Sequence, residues 1–200
     1  MKRSIIILGI IAILIGVWFY KKQDTTAPDQ PKDVPYKTQV NSTPLNQSVI
    51  VALSAYAEMK NAFVDADSIG AKSLTQKFIA AVDSIKINDL QKDTIIYSTI
   101  QTQLGDVKSN AVAIAGESNL TEMRKDFQMV SENFYPFLKT IGYKGPKIYW
   151  QNCPMAFGEG KEASWISSSS EIINPYLGKK HPEYKATMLH CGIQEDSMGR

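Results

Sequence analysis

Residues 119–142 of the chain read NLTEMRKDFQMVSENFYPFLKTIG, and they carry the signals of one complete amphipathic helix. Asn119, with Glu122 three positions later, predicts a capping box at the N-terminus. Apolar side chains then recur at spacings of three and four, which is one helical stripe, until Gly142 predicts the stop. The stripe consists of Met123, Phe127, Val130, Phe134, Phe137 and Ile141. Pro136 lies inside this pattern and predicts a kink or a local break.

Three further stripes with the same spacing precede this one, within residues 45–63, 71–85 and 96–114. Thr43 followed by Pro44 predicts the N-cap and the first residue of the earliest helix. Four amphipathic helices joined by short polar loops predict a mainly α fold, an up-and-down four-helix bundle. Stripes at this spacing face inward in globular helices, so we expect their larger side chains in the core. These side chains are Tyr56, Met59, Phe63, Phe78, Met123, Phe127 and Phe134.

The pattern changes after residue 142, where short extended segments replace the helical stripes. Residues 147–151 and 163–167 are short and rich in aromatic side chains, which predicts two strands. Residues 188–193 are predicted to form a third short extended piece. Strands this short bury little surface alone, so we expect a short β-containing C-terminal appendage packed on one end of the bundle.

The N-terminal residues 1–22 begin with two basic residues and continue as an uncharged run rich in Ile and Leu, which ends in three aromatic residues and two lysines. This order predicts a short membrane anchor. A cleaved secretory signal is the alternative, and both export the rest of the chain. Residues 23–43 are polar, contain prolines and lack apolar periodicity, which predicts an extended tether. The folded part is therefore expected at residues 44–200.

The composition excludes several classes of protein. Lys and Arg number 22 against 20 for Asp and Glu, and a net charge of +2 does not favour a nucleic-acid partner. Two cysteines and two histidines are too few for a disulfide scaffold or a four-cysteine zinc or iron–sulfur site. The common phosphate-binding and hydrolase motifs are missing, and no nucleophile, base and orienting group can be assembled. We therefore do not expect an enzyme.

The sulfur-containing side chains of the C-terminal third are the candidate site. Cys153 and Met155 flank Pro154, which stiffens the turn between them, and Met188 lies three positions before Cys191. Thiolate and thioether donors select Cu(I) and other soft ions over hard ions such as Mg²⁺. If the two segments lie side by side, the four sulfurs can converge on one soft ion. The imidazole of His190 is then a spare or competing donor. Because cysteine binds as the thiolate, we expect metal affinity to fall in acid.

A disulfide between Cys153 and Cys191 is the alternative for the same residues. An exported protein with two cysteines most simply forms one such bond. Closing a loop of about 38 residues stabilises a small appendage by ~3–4 kcal/mol in the loop-entropy model. A disulfide needs neither methionine, which keeps the metal hypothesis open. Redox exchange by reactive thiols is the least favoured interpretation, because the chain has no Cys-x-x-Cys pair. On the residues alone, these interpretations remain open.

The C-terminal third carries four short motifs in a fixed order. Residues 148–157 read IYWQNCPMAF, 163–167 read ASWIS, 171–176 read EIINPY and 188–192 read MLHCG. Taken in order, these motifs resemble the DUF3347 family, and the set is far more specific than a lone Cys-Pro-Met triplet. The resemblance spans residues 49–193. The helices before the motifs are similar to the family's helical portion in general character, whereas the last third is similar in sequence.

The resemblance implies a function that the residues alone do not. Such domains occur as exported bacterial proteins and as extensions of periplasmic adaptor subunits of heavy-metal efflux systems. It therefore implies a periplasmic protein, tethered to the inner membrane, that sequesters copper or delivers it to an efflux or metalloprotein partner. The metal ligands that it implies are Cys153, Met155, Met188 and Cys191, with His190 as a further candidate. This chain differs from the family pattern by an additional segment, residues 179–187.

Overall fold

The computed structural model of the protein describes residues 44–91 and 94–200. The predicted anchor at 1–22, the tether at 23–43 and the Thr43 cap lie outside the described residues. None of the helices within the described ranges combines the length and the hydropathy that a bilayer-spanning segment needs.

Four long helices follow one another along the chain, as the stripes predict. They are α1 (Pro44–Val64), α2 (Ser68–Asp83), α3 (Thr94–Gly116) and α4 (Leu120–Thr140), with a 3₁₀ turn at Asn88–Leu90. Each helix packs on the next one in sequence, and this is the arrangement of an up-and-down bundle. The mainly α prediction is therefore confirmed.

The core of the bundle contains all seven of the larger side chains that were predicted to lie there. Each of them is at most 1% exposed. The ring of Tyr56 lies 5.3 Å from that of Phe127 and 5.9 Å from that of Phe78, in stacked and edge-on arrangements. Such aromatic pairs stabilise the fold by more than the burial of their surface area alone. These rings, from α1, α2 and α4, pack together inside the bundle.

The ends of α4 follow the sequence signals, while its interior does not. The Asn119 side chain accepts the Thr121 backbone N–H at 2.7 Å, and this confirms the N-cap. The Glu122 carboxylate binds Lys125 at 2.8 Å. At the other end Gly142 adopts a left-handed φ of 60° just after the helix ends, as its conformational freedom permits. The helix runs through Pro136 to Thr140 without the predicted break.

A three-stranded antiparallel sheet follows the bundle, with strand order β2-β1-β3. Its strands are β1 (Ile148–Cys153), β2 (Ala163–Ser167) and β3 (Ile193–Met198). The first two confirm the predicted strands, and β2 packs on α4. An ion pair of 2.6 Å between Lys139 and Asp196 joins α4 to β3.

The third predicted strand is wrong in position. Residues 188–192 form a turn and a short irregular segment, and β3 begins only at Ile193. The β3 sequence IQEDSM is mostly polar, and its side chains are exposed or half-buried. A strand that buries no face shows no apolar alternation, so the sequence pattern gives no signal for it. Chain reversal before β3 is what carries Cys191 to the end of β1.

Tyr56 joins the bundle to the sheet. Its hydroxyl lies 2.6 Å from the Ser131 hydroxyl, which itself donates to the Phe127 carbonyl. The same Tyr56 oxygen accepts the Ile166 backbone N–H of β2 at 3.1 Å. A buried tyrosine thereby satisfies an otherwise unpaired amide of an edge strand.

Candidate functional site

The two cysteine thiols lie in contact although 38 positions separate them in sequence. Their Sγ atoms are 2.8 Å apart, and both cysteines are free. The strand register explains this contact, because Asn152 of β1 pairs with Ile193 of β3. Cys153 follows Asn152 by one residue and Cys191 precedes Ile193 by two, so antiparallel pairing brings the two cysteines together. We call these two side chains the thiol pair.

A buried asparagine fixes the turn that carries Cys191. The Asn174 Nδ2 donates to the Cys191 carbonyl at 2.8 Å. Its Oδ1 accepts the backbone N–H groups of Tyr176 and Leu177 at 2.8 and 3.0 Å. The Asn174 backbone N–H also donates to the Leu189 carbonyl at 2.8 Å. The segment around Asn174 therefore shapes the turn at 188–191.

Gly192 allows the chain to cross closely over β1. Its φ of 148° lies in the region that residues with a side chain rarely adopt. A Cβ atom there would stand 2.8 Å from the Asn152 carbonyl oxygen and 3.0 Å from the Trp165 ring. This close approach places Cys191 directly against the end of β1.

The environment of Cys191 favours its protonated form. Burial raises the pKa of Cys191 to about 12, and the adjacent Cys153 thiol adds to this effect. At neutral pH Cys191 is therefore a thiol, while metal ligation needs the thiolate. A cation that binds here must displace a proton.

Comparison with known proteins identifies the helical part of the chain. Residues 52–145 match the family model described as "Protein of unknown function (DUF3347)". This segment is a DUF3347 domain. No curated protein and no solved structure matches the chain.

The DUF3347 match lies on a different part of the chain from the motifs that suggested it. It begins within α1 and ends before β1, so it covers the bundle. The motifs at 148–192, including both cysteines, lie outside the matched residues. The family is therefore confirmed by the helices, whereas the C-terminal sulfur residues rest on their own geometry.

The two methionines lie near the thiol pair in sequence but in different surroundings. Met155 lines a cavity of about 410 Å³ whose wall includes neither thiol and not Met188. Met188 begins the turn that ends at Cys191, since its carbonyl accepts the Cys191 N–H at 3.0 Å. Both methionines are half-buried against the hydrophobic core. The structure thus brings the two thiols into contact, whereas Met155 lies in the wall of a cavity that neither thiol lines.

His190 is held in a form that can bind a metal. Its Nδ1 lies 2.8 Å from the Ile172 carbonyl oxygen. Since a carbonyl only accepts, Nδ1 carries the proton and Nε2 of the neutral ring keeps its lone pair. Metal-binding histidines commonly donate their second nitrogen to a backbone carbonyl in this way. The ring is exposed, so Nε2 is accessible.

The donor set around the thiol pair suits a soft ion of low coordination number. Within 44–91 and 94–200, no group of three or more His, Cys, Asp and Glu side chains is arranged to hold a metal. The two thiols, once deprotonated, are soft donors of the kind that Cu(I) prefers and that hard ions do not.

Proposed function

We propose that this protein binds a soft metal ion, foremost Cu(I), through Cys153 and Cys191 outside the cytoplasm. The observation that carries the proposal is the 2.8 Å contact between two thiols from distant parts of the chain. Thiolates are the donors that Cu(I) prefers. The remaining donors are the thioethers of Met155 and Met188 and the Nε2 atom of His190.

Metal binding requires a small movement of the thiol pair. Two thiolates that share one ion lie ~3.5–4.5 Å apart, given metal–sulfur bonds of about 2.3 Å. The Sγ atoms must therefore separate from 2.8 Å. Cys153 ends the central strand and pairs with Ala163, whereas Cys191 lies in a turn. We expect the side chain of Cys191 to rotate, since strand pairing does not hold this residue, while its backbone stays bound to Asn174.

The cellular role that we propose is sequestration of copper or its delivery to an efflux or metalloprotein partner. The proposal places residues 1–22 in the inner membrane and the DUF3347 domain in the periplasm, with 23–43 as the tether. The motif resemblance supports this location and this partner class. A role in transfer fits a two-thiol site, because a low-coordinate ion passes readily to incoming thiolates.

One observation favours a second function, a disulfide-stapled interaction module without metal. The 2.8 Å separation of the Sγ atoms exceeds a disulfide bond of ~2.05 Å by less than 1 Å. Oxidation of the pair releases two protons and passes two electrons to a thiol oxidant of the compartment. The bond would tie β1 to the segment before β3 and hold the appendage on the bundle.

Copper titration of the full-length, reduced protein tests the first function. We expect one Cu(I) per chain, and a Cys153→Ser/Cys191→Ser variant is expected to lose this binding. Met155→Leu and Met188→Leu should weaken it, while Met129→Leu, on the outer face of α4, is the matched control. Equal stoichiometry and affinity in the wild type and the double variant would reject the metal function.

Mass spectrometry without reductant tests the second function. Protein taken directly from the cell envelope would carry a quantitative Cys153–Cys191 crosslink if the pair is a structural staple. A mass that corresponds to two free thiols, or to the metal-loaded pair, contradicts the staple.

A further inference from the structure

A cavity of about 410 Å³ opens between α4, the turn after β1 and the segment 181–184. This volume falls in the range of small-molecule sites. One part of the wall is apolar and is formed by Met155, Phe157, Tyr176 and Leu177. Another part is basic and is formed by Arg124, Lys125 and Lys161. The thiol pair, Met188 and His190 do not line the cavity, so Met155 is the one candidate metal ligand in its wall.

Arg124 supplies a fixed and buried positive charge in this wall. The residue is only 5% exposed. Its Nε donates to the Pro175 carbonyl at 3.0 Å and its Nη2 to the Phe63 carbonyl at 2.8 Å. Both acceptors are neutral, and no carboxylate pairs with Arg124 in the part of the chain that the structure describes. The guanidinium is thus held rigidly with donors to spare.

The buried guanidinium stays charged at neutral pH. Burial lowers the pKa of Arg124 to about 10, which is still well above 7. A cation taken out of water without a counter-charge is unfavourable. An anion in the cavity would therefore be stabilised by Arg124 and would stabilise the fold in return.

Lys161 adds a second positive charge at the mouth of the cavity. It closes a turn in which its backbone N–H donates to Gly158 at 3.0 Å and its carbonyl accepts from Phe157 at 3.1 Å. Its ammonium forms no ion pair with any residue that the structure describes. Glu183 is the one acidic side chain among the described lining residues, so the basic side chains outnumber it.

The added segment 179–187 contributes His181 to the opposite wall. His181 Nδ1 accepts the backbone N–H groups of Glu183 and Tyr184, each at 3.2 Å, so the proton of the neutral ring is on Nε2. Burial, followed by the charge of Arg124, lowers the pKa of His181 and favours this neutral form. The ring stacks on Tyr184 with centroids 4.8 Å apart. This wall therefore offers a rigid N–H donor and a flat surface.

We propose that this cavity binds the oxyanion group of a small organic acid, a carboxylate or a phosphate, whose planar apolar body lies against Phe157 and Tyr176. Arg124 anchors the oxyanion, Lys161 attracts it, and His181 donates a hydrogen bond. Charge-assisted bonds to a guanidinium are among the strongest that such a group can form. The site does not depend on the metal-binding function.

Binding of simple probes to the full-length protein tests this site. Benzoate and phenyl phosphate are titrated while amide shifts and the melting temperature are followed, with benzylamine as the matched cation. We expect saturable binding of the acids, a higher melting temperature and no binding of the amine. The acid that binds with the higher affinity shows whether the site prefers a carboxylate or a phosphate. Absence of saturable binding by both acids, or equal binding of the amine, overturns the proposal.

Variants locate the binding in the cavity. Lys161→Gln should weaken binding about two- to fivefold, as expected for an exposed charge. Lys180→Gln makes the same charge change at an exposed position outside the lining and should leave affinity unchanged. Arg124→Lys should cost about tenfold or more, since the planar fork is lost. Arg124 also binds two backbone carbonyls. If Arg124→Lys therefore fails to fold, His181→Phe is the second test, and it should weaken binding because it removes the proposed N–H donor.

The outcome is separable from that of the copper experiment. Cys153→Ser/Cys191→Ser leaves the cavity wall intact, so this variant should bind benzoate as the wild type does. Equal affinity of Lys161→Gln and Lys180→Gln for benzoate contradicts the proposed site, whatever copper does.

Discussion

Asn174 holds Cys191 in place through a 2.8 Å hydrogen bond from its side-chain amide to the Cys191 carbonyl. The Asn174 side chain is completely buried, and its oxygen serves two further backbone N–H groups. One asparagine thus ties the chain before segment 179–187 to Cys191, which follows that segment. The position of Cys191 against Cys153 depends on this link as much as on the strand register.

Replacement of Asn174 should therefore affect both stability and the thiol pair. Asn174→Ala leaves buried backbone groups unpaired, and we expect the free energy of unfolding to fall by about 2–4 kcal/mol. Chemical denaturation measures this. Asn110→Ala is the control, because Asn110 binds a backbone carbonyl on the outer surface of α3. A similar small loss in both variants would show that Asn174 does not hold the turn.

Gly192→Ala should separate the two thiols. The new Cβ would meet the Asn152 carbonyl at 2.8 Å in a backbone conformation with φ of 148°. We expect a loss of about 1–3 kcal/mol and slower Cys153–Cys191 disulfide formation by a mild oxidant. Crosslinking rates followed by mass spectrometry measure the second effect. Gly116→Ala, where no atom lies within 4 Å of the added carbon, should leave the rate unchanged.

Tyr56→Phe should weaken the attachment of the sheet to the bundle. The substitution removes the oxygen that accepts the Ile166 N–H and contacts Ser131. We expect a loss of about 1–3 kcal/mol in thermal or chemical unfolding, because buried polar groups lose their partner. Tyr97→Phe removes an exposed hydroxyl that accepts only a 3.3 Å bond from Gln91 and should change stability little. Equal effects of the two variants would contradict the proposed link.

The alkylation rate of the reduced protein should report the raised pKa of Cys191. Its pKa of about 12 is above that of a free cysteine, so little thiolate is present at pH 7. We expect slow reaction with iodoacetamide at pH 7 and a rate that still rises above pH 9. In Cys153→Ala the neighbouring thiol is absent, and Cys191 should react faster at pH 7–9. An unchanged pH profile of alkylation in this variant would contradict an effect of Cys153 on the pKa of Cys191.

The same shift sets the sign of the pH dependence of stability. A thiol with a pKa that is higher in the folded than in the unfolded state binds its proton more tightly when folded. Its contribution to stability is therefore complete below the unfolded pKa near 8.5 and is lost as the pH rises toward 12. The Cys153→Ser/Cys191→Ser variant should lack this component in unfolding measured between pH 8 and 11.

The helices were predictable because their signals are local. Asn119 caps α4 through a backbone N–H two residues away, and the four-residue spacing of Met123 and Phe127 depends only on neighbouring sequence. Pro136 predicted a kink or break that does not occur, because packing keeps the helix intact although proline lacks a backbone N–H. Strand β3 was misplaced because exposure on its faces removes the apolar alternation that marks a buried strand.

The sequence by itself determined four amphipathic helices, two aromatic strands and a chain with two cysteines beside soft sulfur donors. Only the tertiary structure decided that the Cys153 and Cys191 thiols touch, since this follows from the register of β1 with β3 and from the turn held by Asn174. It also decided that Arg124 and His181 share one cavity. Spacing along a chain specifies local periodicity, whereas contacts between distant segments arise from strand pairing and packing, which periodicity does not encode.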